Sequence, residues 1–153
     1  MKDAVKIKGI IEFEIRGRDG KIRDKWTEYN AVVNAGFAQL ALLAGDATAT
    51  PFTYLALGTS TTAVAVGQTA LQAEIVSGGL ERAAATVSRV TTNVANDTLQ
   101  LVKVFTASAS HAVEEVGIFN ASSAGTMLSR ALTTTKSLIS GETITITYKV
   151  VFA

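Results

Sequence analysis

Hydrophobic and polar residues alternate over several separate stretches of this chain, and one stretch alone carries apolar residues at convincing helical spacing. Val5, Ile7, Ile11, Phe13 and Ile15 share one face of an extended segment, with Lys6, Lys8, Glu12, Glu14 and Arg16 on the other and Ile10 as the exception. Gly17-Arg18-Asp19-Gly20 then predicts a hairpin, returned by Lys21 to Tyr29 with Ile22 and Trp26. Phe37, Leu40, Ala41 and Ala44 predict a helix over 35–44, with Asn34 as N-cap and Gly45 as the stop. Phe52 to Glu74 begins as an apolar strand, breaks at Gly58, runs through hydroxylated residues and ends in a short helix-like stretch, Thr69 to Glu74. Further strands are expected at Leu80 to Val90, Leu99 to Phe105, Val113 to Phe119 and Met127 to Leu132. The last, Thr143 to Phe152, alternates strictly, with Ile144, Ile146, Tyr148, Val150 and Phe152 on one face.

About eight short strands with turn signals between them predict a mainly β protein, an antiparallel sandwich or jelly-roll-like domain with an N-terminal hairpin and one helix. At 153 residues the chain is expected to be a single domain, with residues 1–29 as a strand and hairpin that could serve as an arm and 30–153 as the sandwich. Asp46 to Pro51 reads as a loop by composition.

Charge sharpens this picture. Fourteen Lys and Arg nearly balance thirteen Asp and Glu, so the whole-molecule field gives no long-range pull on nucleic acid or an anionic membrane. The basic residues of the first 29 positions are interleaved with acids, which argues against a nucleic-acid patch. The N-terminus alternates too regularly for a signal peptide, and no apolar run approaches the length of about 18 residues that spans a bilayer. The absence of cysteine excludes thiolate catalysis and thiolate metal sites. Only 18% of residues are charged, while Ala, Thr, Val and Ser abound, which points to surface buried by neighbouring subunits.

Candidate chemistry is weak throughout, and the expectation is a non-enzymatic protein without a cofactor or metal. His111 lies beside Ser110 and near Glu114 and Glu115, yet neighbours on a strand face opposite ways, and a single histidine cannot form an imidazole cluster. Gly58-Thr59-Ser60-Thr61-Thr62 lacks the lysine of a phosphate-binding loop. Asn96-Asp97-Thr98 and Asn120-Ala121-Ser122 match the glycosylation sequon and read as ordinary turns.

Several segments, in order, resemble a family of small structural proteins of tailed bacteriophages. They are the Gly17–Gly20 hairpin, Tyr29-Asn30-Ala31-Val32-Val33-Asn34-Ala35-Gly36, Tyr54-Leu55-Ala56-Leu57-Gly58-Thr59-Ser60-Thr61-Thr62-Ala63 with Thr69 to Glu74, and Glu115-Val116-Gly117-Ile118-Phe119-Asn120-Ala121 with Gly125 to Arg130. Ser140 to Tyr148 closes the series. The resemblance implies a virion component assembled in the bacterial cytoplasm. It favours a capsid decoration protein that binds the major capsid protein and stabilises the head, self-associated as a homotrimer. The alternative is a tail, baseplate or fibre component bound to tail proteins. A carbohydrate-binding β-sandwich module is a third reading, weakened by one Trp and three Tyr. Ile10, Trp26, Tyr29 and Phe37 are the candidate interface residues, because large apolar side chains most often anchor contacts; each could equally belong to the core.

Overall fold

A computed structural model describes residues 5–153, which form ten strands and one helix. In chain order these are β1 (Ile7–Arg16), β2 (Ile22–Tyr29), β3 (Ala31–Val32), α1 (Asn34–Gly45), β4 (Tyr54–Gly58), β5 (Ala83–Ala84), β6 (Thr86–Val90), β7 (Thr98–Thr106), β8 (His111–Phe119), β9 (Met127–Leu138) and β10 (Thr143–Phe152). They make two five-stranded antiparallel sheets, β2-β1-β10-β7-β6 (sheet A) and β3-β9-β8-β4-β5 (sheet B). The β-sandwich expected from the alternation is therefore present.

The alternating residues build the core. Ile11, Phe13 and Ile15 of β1, Ile144, Ile146, Tyr148 and Val150 of β10, and Leu101 and Phe105 of β7 meet Leu55, Leu57, Val116, Ile118 and Leu128 from sheet B. Buried Tyr148 keeps a partner for its phenol in Ser129 Oγ, 2.9 Å away, and burial pushes the phenol above its usual pKa range. The chain changes sheets with little spacing: Asn30 alone separates β2 from β3, and Ala85 alone separates β5 from β6.

The hairpin forms where Asp-Gly predicts it. Gly20 adopts φ 76°, and the Gly20 N–H donates to the Gly17 carbonyl at 2.9 Å. The described part of the segment set out as a possible arm joins sheet A: β1 runs between β2 and β10 and pairs with β10 from Ile7↔Phe152 to Arg16↔Thr143. The first four residues of that segment lie outside the described ones.

Five local expectations need correction. The helix exists, at 34–45, but its buried side is Gly36 with the half-buried Leu40 and Leu43, while Phe37, Ala41 and Ala44 are exposed. A helix without charge, apolar nearly all round, carries no phase signal, and the residue in closest contact is a glycine. Asn34 is not the N-cap: Val33 holds that position with no side-chain cap bond, and the Asn34 N–H donates to the Val66 carbonyl at 2.8 Å. Thr69 to Glu74 is not helical; its amides have more distant acceptors, described below. Leu80 to Val90 is not one strand but β5 and β6 in different sheets, with the Ala85 N–H bonded to the Thr53 carbonyl at the crossing. The strand expected to end at Leu132 continues to Leu138, because its polar half pairs with the start of β8.

Candidate interaction surface

The residues that suggested chemistry do not converge. His111 opens β8 with its Nε2 atom buried against Gly78 and without a hydrogen-bond partner. Glu114 accepts from the Thr135 hydroxyl, and Glu115 faces the other way. A register shift between Val113 and Glu115 explains the turn: with Glu114 as the extra residue, Val113 and Val116 stay in the core while Glu115 points to the outer face of sheet B. Among the described residues, no three His, Asp or Glu are grouped so as to hold a metal ion.

Glu115 organises that outer face. It is fully buried, as is Arg130 on β9, and Arg130 Nε donates to Glu115 Oε2 at 2.6 Å. The segment between β4 and β5 lies over the pair as a strap. The Ala73 and Gln72 amides donate to the Glu115 carboxylate at 2.8 and 3.2 Å, and Arg130 Nη1 donates to the Thr62 carbonyl and to Gln68 Oε1. The hydroxyl-rich Gly58–Thr62 connection is thus the near end of the strap, and an isolated bridge from Gly58 to Glu74 closes its base. Beneath it Leu71 joins Val33, Ala56, Phe119 and Met127 in a second, smaller apolar cluster. Burying two charges costs several kcal/mol each, and bonds to the rest of each group offset that cost; the strap supplies four of them, while Arg130 Nη2 is left buried without a partner.

Where the strap meets the helix, the surface turns apolar. Helix α1 has no charged residue, and it exposes Phe37 by 50% and Leu42 by 48%, with Ala38, Ala41 and Ala44 between and beside them. Val66, 55% exposed, adjoins it through the bond from Asn34 to its carbonyl. Contiguous apolar exposure without any charge makes this face the candidate interaction surface.

Phe37 is the one predicted interface residue on this surface. Trp26 is half-buried, stacked on Phe13 at 4.8 Å, with its indole N–H donating to Thr133 Oγ1 at 2.8 Å and Lys136 Nζ 4.4 Å above its ring. Its place is the joint between sheets A and B. Tyr29 is 63% exposed, with Lys8 Nζ 5.3 Å from its ring, and the half-buried Ile10 sits opposite it on the outer face of sheet A. Leu42 and Val66 were missed. Leu42 follows Leu40 in a run of apolar residues where nothing separates inside from outside, and Val66 stands in a loop.

A cleft of about 340 Å³ lies between the strap's base and the turn after β8, lined by Glu74, Ile75, Val76, Glu81, Arg82 and residues 122–124. Arg82 is already occupied, paired with both Glu74 oxygens, donating to the Ala121 and Ala124 carbonyls, and lying 3.6 Å over the Phe119 ring. No aromatic residue lines this cleft, so it offers no platform for stacking a sugar.

Residues 30–151 match the family model described as "Podophage GP4 fiber I protein gp80". No curated protein and no solved structure matches the chain. The matched region starts at Asn30, where the chain leaves β2 for sheet B, and it takes in the helix, the strap and both members of the Glu115–Arg130 pair.

Proposed function

The chain belongs to the family of the podophage GP4 fiber I protein gp80 and is a structural component of a tailed-phage virion; we propose that it serves there in the fibre or tail apparatus, as a non-enzymatic β-sandwich held to a neighbouring virion protein through the exposed face of α1. The observation that carries this is the uncharged helix with Phe37 and Leu42 half in solvent. Phe buries about 150–250 Å² when fully covered, so the face is large enough to anchor a contact whose remainder comes from the strap. The family description, which names a fibre, places this reading above attachment to the head.

The head-surface reading, a decoration protein seated as a homotrimer on the major capsid protein, ranks second. Its support is the outer wall of sheet A, where Thr145 and Thr147, opposite Val104 and Val102, stand beside Glu12, Glu14 and Lys25 in a mixed polar and apolar surface. Copy number separates the two readings: a fibre or tail component is present in few copies per particle, a decoration protein in a number set by the head lattice. The direct test is the double variant Phe37→Ser/Leu42→Ser in the phage that encodes the protein. Its stability should change by no more than about 0.5 kcal/mol per site, since both residues are exposed, while its incorporation into particles falls sharply. Unchanged incorporation would remove α1 as the attachment surface.

A further inference from the structure

Two sheets leave four edge strands, and the chain protects them unequally. In sheet B both edges, β3 and β5, are two residues long. In sheet A one edge, β2, carries Arg23, Asp24, Lys25 and Glu28. Asp24 and Glu28 lie on its inner side, where Lys136 Nζ meets Asp24 at 2.6 Å and Thr133 reaches Glu28. Short strands and inward-pointing charges are the usual devices that stop a sheet from pairing with another chain. The remaining edge, β6, is longer than the sheet B edges and carries one charge, Arg89, on the side of Leu99 and Leu101, against the four charges of β2. It runs five residues, Thr-Val-Ser-Arg-Val, of which Thr86 to Arg89 are exposed, and β7 is its one strand partner among the described residues.

We propose that β6 pairs with β6 of a second copy of this chain, antiparallel about Ser88, so that the two A sheets join into one of ten strands. The occupant follows from the register. Centred on Ser88, the pairing sets Thr86 opposite Val90 and Val87 opposite Arg89, so the only charge in the strand meets an apolar stem and never its own copy. Like charges opposite one another destabilise a ladder, and this register has none. β-Branched residues fill three of the five positions, as a paired strand favours. Val87, 42% exposed in the single chain, gains cover from the partner's Arg89 stem. After pairing, the charged β2 strands stand at both free ends of the joined sheet, which halts further growth. This inference concerns the chain alone and stands or falls independently of the fibre assignment.

The test uses the absence of cysteine. Ser88→Cys places two thiols opposite each other, where antiparallel Cα atoms lie about 4.5–5.5 Å apart, within the span a disulfide accepts. Under mild oxidation the full-length variant should form a covalent dimer at least roughly tenfold faster than an exposed control, Ser123→Cys, because pairing raises the effective thiol concentration. Light scattering of the unmodified protein should give twice the 16.0 kDa chain mass or an even multiple of it. Ser88→Lys, which sets two ammonium groups face to face, should return the mass to that of one chain with an unchanged β-sheet circular dichroism spectrum. A Ser88→Cys protein that cross-links no faster than the control overturns the proposal, whether the chain is a monomer, a trimer, or bound through β6 to a different protein.

Discussion

The most consequential single residues are those that bring charge into the apolar part of the molecule. Arg130→Met would leave the Glu115 carboxylate buried with only the Gln72 and Ala73 amides for partners, and should cost about 3–5 kcal/mol of unfolding free energy in urea. The double variant Glu115→Met/Arg130→Met should recover much of that loss, since apolar residues of similar volume often replace a buried pair at little cost. If the single change is as mild as a surface substitution, the pair does not hold the strap. Ile146, fully buried at the centre of β10, gives a harsher test: Ile146→Asp buries an unpaired charge and should yield no soluble folded protein. Asp97 supplies the pH dependence. The Val94 amide, followed by the Thr92 and Asn93 amides and the Thr98 hydroxyl, holds its carboxyl well below the usual range. A carboxyl lowered in the folded state stabilises above its unfolded pKa and loses that contribution as pH falls. Asp97→Asn should therefore lower the melting temperature at neutral pH and flatten its decline below about pH 4.

Helix α1 is the element whose sequence and setting disagree most. Glycine inside a helix ordinarily costs about 1 kcal/mol against alanine, so Gly36→Ala would stabilise a free-standing helix. Here a Cβ on Gly36 would run into the Leu128 carbonyl of β9. The substitution should instead destabilise by about 1–3 kcal/mol, the usual cost of overpacking, measurable as a lower midpoint in thermal unfolding. A stabilised Gly36→Ala protein would mean that the helix stands further from sheet B. Asn34→Ala should be nearly neutral for the same structural reason: the helix start draws its acceptor from the Val66 carbonyl of the strap, not from a side-chain cap.

At the scale of the molecule, the sandwich closes through its chain ends. The Lys6 N–H donates to the Ala153 carbonyl at 2.5 Å, and the Ala153 N–H returns to Lys6 at 2.8 Å, extending the β1–β10 ladder beyond both strands. Deleting residues 1–8 should therefore lower the stability of the chain itself by at least about 1–2 kcal/mol, the worth of those two bonds, before any effect on assembly. A truncation that keeps full stability and loses only particle attachment would show that the segment acts as an arm. The low charge fits the same view, because the uncharged face of α1 is the one proposed to meet a neighbouring protein.

The period-two alternation determined the class of fold, the inner faces of β1 and β10, the Asp-Gly hairpin and the existence of a helix, because each rests on contacts within a few residues or on a face that must be dry. The resemblance carried by the strap, the helix entry and the closing strand determined the virion, which the family match over residues 30–151 shares. Three features were settled only by distant parts of the chain. The face that α1 buries depends on Leu128, more than ninety residues from Gly36. The irregular course of Thr69 to Glu74 depends on a carboxylate about forty residues later that takes its amides. The division of Leu80 to Val90 between two sheets depends on whether β4 or β7 lies alongside each half. In each case a long-range hydrogen bond or steric contact outweighs a local preference worth at most about 1 kcal/mol per residue.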